Sequence, residues 1–278
     1  MSPDFEESVV LITSKNPDNS EFGTGFVIYR IERSTYVLTC MHVIRDVGGE
    51  SEVRVGGNPA ALIAAGSADG VDDIAVLRVD GLLTIPSLKL SISGETGNPF
   101  IAFGYQRISG NNYIKAQIPG TLGEQVRLES RWKAESIRAW ELKIDDGYIL
   151  PRGYSGSPLV DEASGDVMGV ISHRQGEGKK GLAISSETLR SIWPEMPTDL
   201  LGRKREKKPP LRKTGVSLDA KRETLEKRLA NLVEEYQAAS DQLGRTRDDV
   251  DRIRIERQIK ELERKMKDVD SELGSLPS

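Results

Sequence analysis

Up to about residue 197 the chain is a succession of short, β-branched apolar segments separated by turn-forming residues. The clearest segments, each bounded by Gly, Asn, Asp or Ser, are Gly23–Tyr29, Tyr36–Thr39, Ile74–Val79 and Val167–Ser172. Most of the 27 glycines lie in this part, as is typical of a chain with many tight turns. Strands of this length and spacing predict an all-β sandwich or barrel. Leu189–Trp193, stopped by Pro194, is predicted to form a short closing helix.

From Ser217 onward the apolar pattern changes to the period of an α-helix. A first stripe consists of Leu218, Leu225, Leu229, Leu232, Tyr236 and Leu243. A second stripe consists of Val250 or Ile255, then Ile259, Leu262, Met266, Val269 and Leu273, at coiled-coil spacing. With Ser217 as N-cap and a break near Gly244, residues 217–278 are predicted to form an antiparallel helical hairpin. Because such a hairpin leaves apolar surface open, we expect homo-oligomerisation, docking on the β domain, or a helical protein partner.

Residues 198–216 differ from both flanking parts. The stretch Gly202–Lys213 is basic, contains two adjacent prolines and lacks apolar periodicity, which predicts an exposed linker. A nucleic-acid patch is the alternative, but no aromatic residues interleave the charges. The formal net charge of −4 also gives no reason to expect binding to nucleic acid or to an anionic membrane. The sequence therefore predicts a β domain over residues 1–197, a linker over 198–216 and a helical domain over 217–278.

The single cysteine, Cys40, limits the compartment in which the chain works. One cysteine forms no intrachain disulfide, which favours a reducing compartment. Residues 1–7 lack the basic and apolar regions of a signal peptide. No apolar run approaches the ~20 residues that cross a bilayer. We therefore expect a cytoplasmic protein that does not bind or span a membrane.

Ser155 lies in the loop segment Gly153–Pro158, between two glycines that permit unusual backbone angles. A nucleophilic serine needs a base that removes its proton and donors aimed at the developing oxyanion. A tight loop of this kind directs the backbone N–H groups of Gly153 and Ser155 toward one point. The alternative is an ordinary turn between strands, and the longer string with Pro158 favours the nucleophile.

A base and an orienting acid are available upstream. His42, one of only two histidines, is predicted at the end of the apolar strand that precedes it. A general base also needs a carboxylate that fixes its tautomer, and Asp73 stands just before a buried strand. Taken alone, His42 is as easily interpreted as a histidine of the hydrophobic core, and Asp73 as a polar residue at the start of a strand. Together with Ser155 they follow the order His, Asp, Ser of the chymotrypsin arrangement.

At this point the chain resembles the trypsin-like peptidase family, especially its bacterial, disulfide-free HtrA-like members. The matching strings are Gly23–Ile28, Leu38–Val43, Asp72–Leu77, Gly153–Pro158, Gly169–His173 and Gly181–Ser185, within residues 8–195. The resemblance implies a mainly β fold, a chymotrypsin-like double β-barrel, with His42 and Asp73 in the first barrel and Ser155 in the second. The resemblance places the acid of the triad directly before the strand that begins at Ile74, at Asp73, and Asp72 is the alternative. No PDZ domain, usual at this end of HtrA relatives, is recognisable.

The resemblance also indicates substrate-binding positions. The strand segment Ser172–Arg174 is expected to run beside the substrate backbone, and Ile149 is expected at the base of the pocket for the residue before the cleaved bond. An apolar base argues against a requirement for Lys or Arg there. His173 and Arg174 depart from the aromatic and glycine usual in the family. Arg174 either narrows the pocket or favours an acidic group, or else points into solvent.

The sequence thus predicts a serine endopeptidase that acts on protein or peptide substrates through an acyl-enzyme, with His42, Asp73 and Ser155 as its triad. The helical tail is predicted to regulate or recruit it, as in effectors of bacterial defence, where small helical adaptors are joined to trypsin-like domains. No metal site and no cofactor is predicted, because the Cys and His residues lack zinc-like spacing. The rival hypothesis is a catalytically silent double-barrel binding module tethered by a coiled coil.

Overall fold

The computed structural model describes residues 5–82, 84–129 and 136–201, together with individual helical positions between 229 and 274. The chain divides into two compact units, residues 1–205 and residues 206–278. The first unit holds the predicted β domain and the second holds the predicted helical domain.

The first barrel consists of six antiparallel strands that close in the order β1-β2-β3-β6-β5-β4. The strands are β1 (Val9–Ser14), β2 (Phe22–Ile31), β3 (Ser34–Thr39), β4 (Val53–Val55), β5 (Asn58–Ala65) and β6 (Ala75–Asp80). A short helix, α1 (Met41–Asp46), follows β3. Side chains of β6 show why such segments form barrel walls: Leu77 and Val79 are buried, whereas Arg78 and Asp80 between and after them are exposed.

The second barrel closes in the order β10-β11-β12-β9-β8-β7. Its strands are β7 (Pro99–Ser109), β8 (Asn112–Glu129), β9 (Ser136–Ile144), β10 (Pro158–Asp161), β11 (Val167–Gln175) and β12 (Lys180–Ser185). The prediction of a mainly β fold with a chymotrypsin-like double barrel is confirmed. The predicted closing helix is also confirmed, as α2 (Leu189–Ile192).

Apolar side chains fill both barrels. The interior of the second barrel is one cluster that includes Phe100, Leu122, Trp140 and Leu142, all at most 4% exposed. A larger cluster fills the first barrel and extends to residues of the second, such as Val160 and Val170. Because α1 and the loop before β10 lie against these rigid walls, the side chains that they carry are held in place.

The described positions of the second unit are helical. Leu262 is buried, and Leu229, Val233, Tyr236, Ile259 and Met266 are partly buried. The exposed positions are Gln237, Ser240, Lys260, Glu263, Arg264, Lys267, Asp270 and Gly274. The hydroxyl of Tyr236 and Oε1 of Glu263 are 3.3 Å apart, so the two predicted helices are neighbours here. The remaining predicted stripe residues, Leu218, Leu225, Leu232, Leu243, Val250, Ile255, Val269 and Leu273, lie outside the described residues, as do Ser217, Gly244 and positions 202–216 of the linker. Among the described residues no helix has the length and apolarity that spanning a membrane requires.

Candidate active site

His42 lies in the first turn of α1, immediately after β3. The sequence predicted it at the end of the strand itself, and this was wrong by a few residues because the strand ends at Thr39 and Cys40 already leads into the helix. Asp73 lies just before β6, whose partner in the barrel is β3. This pairing brings the two ends together and explains how residues 31 positions apart come into contact.

The Asp73 carboxylate is fully buried and holds the His42 ring. Oδ2 of Asp73 is 2.5 Å from Nδ1 of His42, and the backbone N–H of His42 donates to Oδ1 at 2.8 Å. The Ser172 hydroxyl donates to Oδ2 at 2.8 Å. Three donors thus compensate the loss of hydration of a buried carboxylate. With Nδ1–H bonded to Asp73, the neutral ring presents Nε2 as its acceptor.

Asp72 faces a different set of groups. Its Oδ1 accepts from the backbone N–H of Ser67 at 3.2 Å, within the turn that leads into β6. The structure therefore brings Asp73, rather than the alternative Asp72, to the His42 ring.

The Ser155 loop, between β9 and β10, is fastened to the first barrel. The backbone N–H of Thr24 donates to the Ser155 carbonyl at 3.0 Å, and the Thr24 hydroxyl donates to the Gly153 carbonyl at 2.7 Å. The neighbouring Tyr154 is 1% exposed, and its hydroxyl donates to the Ala116 carbonyl at 2.6 Å. Burial raises the pKa of the Tyr154 phenol well above its ordinary value, so this donor keeps its proton.

Two glycines are required for this loop. Gly153 has φ of +98° and Gly156 has φ of +87°, in the region that L side chains rarely adopt. A Cβ atom at Gly156 would lie 1.9 Å from the Thr24 carbonyl oxygen. A Cβ atom at Gly153 would lie 2.4 Å from the Phe22 ring. Among the acceptors that the structure describes, none takes a hydrogen bond from the backbone N–H of Gly153 or Ser155.

The Ser155 side chain and the His42 ring line the same cavity, of about 610 Å³. The Ser155 hydroxyl donates to the Ser172 carbonyl at 3.3 Å. Within the described part of the chain it has no hydrogen bond with the His42 ring. Long or differently directed bonds between nucleophile and base are common in uncomplexed enzymes, and a rotation of the serine side chain changes the acceptor.

Cys40, His42 and Asp73 form a cluster whose potential ligand atoms lie within 4.8 Å of one another. The Cys40 thiol is fully buried and lies 3.3 Å from the Ile171 carbonyl oxygen, to which it donates. Burial, and then the charge of Asp73, raise the pKa of this thiol well above its ordinary value. The thiol donates to the Ile171 carbonyl, and His42 and Asp73 are bonded to each other, so all three groups already have hydrogen-bond partners.

Beyond Ile171, the edge of β11 beside Ser155 pairs with no other strand that the structure describes. Strand β10 pairs with β11 only as far as Val170, whereas β12 pairs with it to Gln175. His173 Nδ1 is 2.7 Å from the Ser172 hydroxyl, and its ring centroid is 5.8 Å from that of His42. Arg174 is exposed and lines both the main cavity and a second one of about 270 Å³. An unpaired strand edge of this kind accepts an extended peptide.

Ile149 has 53% of its surface exposed, whereas the next residue, Leu150, is 1% exposed and lines the main cavity. The structure thus brings Leu150 to the cavity wall, one position along the chain from the predicted residue. Sequence reasoning also missed Phe22, Arg107 and Arg152, which line the same cavity. Arg107 belongs to β7 and has no local motif, so only the barrel topology reveals its place.

Comparisons with known proteins found two matching family models and several similar solved structures. The model of the trypsin-like peptidase domain matches residues 23–170, and that of effector-associated domain 9 matches residues 217–276. The active form of the Rv3671c protease from M. tuberculosis is 27% identical, covering 67% of this chain and 79% of that one, with a TM-score of 0.50. The inactive serine-to-alanine mutant of Rv3671c from M. tuberculosis H37Rv is 25% identical, covering 67% of this chain and 86% of that one, with a TM-score of 0.51. Comparison with curated proteins gave no match.

Proposed function

This chain belongs to the trypsin-like peptidase family and is a serine endopeptidase, and we propose that Ser155, His42 and Asp73 carry its chemistry. The observation that carries the proposal is the His42–Asp73 pair, joined at 2.5 Å, because the His42 ring lines the cavity that Ser155 also lines. Protein or peptide is the substrate class of the family.

The proposed reaction has two halves. In the first, Nε2 of His42 takes the proton of the Ser155 hydroxyl while Oγ attacks the peptide carbonyl, and the departing amine receives that proton from His42. The acyl group remains bonded to Oγ. In the second half, His42 removes a proton from water while the water oxygen attacks the acyl carbonyl, and His42 then returns that proton to Oγ as the bond between Oγ and the acyl carbon breaks and the acid product leaves. Asp73 stabilises the imidazolium in both halves and keeps Nε2 available.

The N–H groups of Gly153 and Ser155 are the proposed donors for the oxyanion. Both belong to the loop that the two positive-φ glycines shape, and neither is used by a described acceptor. Donors that are already fixed before the reaction need no reorganisation when charge develops on the substrate oxygen.

The acyl side of the substrate is proposed to lie along the free edge of β11, beside His173 and Arg174. Ser172 has two functions in this proposal: its hydroxyl supports Asp73, and its carbonyl releases the Ser155 hydroxyl when Oγ turns toward His42. Arg152 and Arg174 at the cavity disfavour a Lys or Arg side chain before the cleaved bond, because like charges repel. We propose Leu150, which lines the cavity, as the substrate-binding residue in place of the predicted neighbour Ile149.

Labelling with a fluorophosphonate tests the nucleophile. We expect the wild-type chain to be labelled and Ser155→Ala to lose the label. Ser157→Ala is the matched control: this serine is fully buried and its hydroxyl has no hydrogen-bond partner among the described residues, so labelling should persist. Labelling of Ser155→Ala would contradict the assignment, and a wild-type chain that binds peptides without cleaving them would favour the silent binding module.

The helical unit is proposed to recruit or assemble the protease, in the manner of an effector of bacterial defence. Support comes from the match to effector-associated domain 9 over residues 217–276 and from the apolar side chains of Leu229, Tyr236, Ile259 and Met266, which stay partly exposed. An oligomer of this chain through a coiled coil, or pairing with a like helical module, would cover such residues. A cytoplasmic location suits the single cysteine, Cys40, which is free.

Deleting residues 217–278 tests this role. Because residues 1–205 form a compact unit of their own, we expect the truncated chain to keep fluorophosphonate labelling while its sedimentation coefficient falls to that of a monomer or its partner is lost. Sedimentation velocity and labelling rate are measured on the same preparations. Loss of labelling on truncation would make the tail part of the catalytic unit, and unchanged assembly would contradict the recruiting role.

A further inference from the structure

Arg107, near the end of β7, places its guanidinium against two aromatic rings at the wall of the main cavity. Its Cζ lies 4.6 Å from the centroid of the Phe22 ring and 5.5 Å from that of the Tyr113 ring. The two rings are themselves in contact, with centroids 4.8 Å apart. The cation is therefore held between β2 of the first barrel and the β7–β8 hairpin of the second.

The guanidinium has donors that nothing in the described chain satisfies. Its Nε and Nη2 are buried and have no hydrogen-bond partner there. An arginine side chain keeps its charge at any physiological pH, and donors without an acceptor carry a desolvation cost. The aromatic faces attract the cation but provide no oxygen acceptor. A carboxylate that entered the cavity would supply the missing acceptors after a small turn of the guanidinium on the Phe22 ring.

The acidic residues of the cavity wall do not meet this need. Asp46 and Asp69 are both bonded to Arg45, at 2.8 Å and 2.6 Å. Glu21 lines the cavity next to Phe22, but within the described structure it forms no ion pair with Arg107, whose donors stay without a partner. Arg152 and Arg174 line the same space. An anionic group of the substrate is thus the complementary occupant.

The position of Arg107 relative to Ser155 identifies the part of the substrate that it meets. The free edge of β11 lies on one side of the Ser155 loop, and the proposed function assigns it to the residues before the cleaved bond. Phe22 lies against the loop at Gly153, where a Cβ atom would be 2.4 Å from the ring. The substrate residues after the cleaved bond leave Ser155 on the side away from β11. They therefore run past Phe22 toward Arg107.

We propose that Arg107 forms a subsite for an Asp or Glu side chain in one of the first two residues after the cleaved bond. The inference rests on the proposed function, since it uses the same nucleophile to define the two sides. It assigns Arg107 as a specificity residue, which bears on substrate choice and not on bond cleavage. A guanidinium suits this task because its planar fork matches a carboxylate.

The experiment begins with a mixture of natural peptides. The full-length chain digests a peptide mixture obtained from a bacterial lysate with another protease, and mass spectrometry identifies the new N-termini. Asp and Glu are expected to be enriched at the first or second new position. The best cleaved sequence is then made as two internally quenched peptides that differ only in Glu or Gln at that position.

The wild-type chain should cleave the Glu peptide with kcat/KM about 10-fold above that of the Gln peptide, as one charge-assisted bond predicts. Arg107→Gln should bring the ratio near one, whereas Arg107→Lys should keep part of the preference. Arg78→Gln, exposed on β6 and outside the cavity, is the matched control that should keep the ratio.

A wild-type ratio near one, or an unchanged ratio in Arg107→Gln, would overturn the subsite while leaving the nucleophile assignment intact. If Arg107→Gln does not fold, the ratio of kcat/KM for the Glu peptide to kcat/KM for the Gln peptide is measured with the wild-type chain at low and at high salt. A preference that rests on charge falls as salt rises, so a ratio that does not change with salt would overturn the subsite. A folded wild-type chain that cleaves neither peptide nor any in the mixture would instead count against the proposed function, and the subsite would fail with it.

Discussion

Asp73→Asn is expected to lower kcat/KM by about 10,000-fold, the scale of losing the correct histidine tautomer in a triad. The backbone N–H of His42 donates to Oδ1 of Asp73, so the amide oxygen of the new asparagine takes that position. Its NH₂ group then faces Nδ1 of His42 and the Ser172 hydroxyl. The ring must accept at Nδ1 and carry its proton on Nε2, where it no longer removes the Ser155 proton.

Asp72→Asn is the matched control for this change. Asparagine keeps an oxygen that accepts from the Ser67 backbone, so we expect kcat/KM close to that of the wild type. Both variants are compared on one quenched peptide, with thermal unfolding recorded to show that each is folded. A large loss in Asp72→Asn together with a small one in Asp73→Asn would reverse the assignment of the acid.

Gly156→Ala is expected to destabilise the first unit by about 3 to 5 kcal/mol and to abolish fluorophosphonate labelling. The added Cβ atom would lie 1.9 Å from the Thr24 carbonyl oxygen and 2.4 Å from the Thr39 hydroxyl. Relief of that overlap requires the Ser155 loop to move away from β2, which breaks the bond from the Thr24 N–H to the Ser155 carbonyl.

Gly147→Ala separates backbone strain from this overlap. Gly147 has φ of +89°, close to the +87° of Gly156, but a Cβ atom there meets nothing within 4 Å. We expect a loss of about 1 to 2 kcal/mol from the left-handed backbone alone, with labelling retained. Urea unfolding followed by tryptophan fluorescence measures both variants. Equal losses in the two would contradict the close packing of the loop against β2.

The sequence predicted the parts of the fold that depend on local pattern. The predicted strand Ile74–Val79 became Ala75–Asp80, and Val167–Ser172 became part of Val167–Gln175. The β-branched residues and glycine boundaries explain this agreement, because they act within a few residues. The prediction that His42 lies at the end of a strand was wrong by a few residues, because a six-residue helix after a strand has too few turns for a recognisable period.

Features that depend on distant pairings were not accessible from sequence. Arg107 reaches Phe22 only because two barrels meet, and their residues are 85 positions apart along the chain. Leu150 rather than Ile149 lines the cavity because Leu150 bonds through its backbone to Gly178, at 2.8 Å, a contact that no local motif signals. The resemblance favoured Asp73 over Asp72 as the acid, and the hydrogen bonds of Asp73 to the backbone and the ring of His42 agree with that choice.

Peptide mapping of the fluorophosphonate adduct on the wild-type chain tests whether Ser155 is the nucleophile. We expect one adduct per chain, on the peptide that contains Ser155, with fragmentation placing it on that residue rather than on Ser157. An adduct on another residue, or a chain that cleaves peptides while Ser155 stays unmodified at complete inhibition, would contradict this assignment.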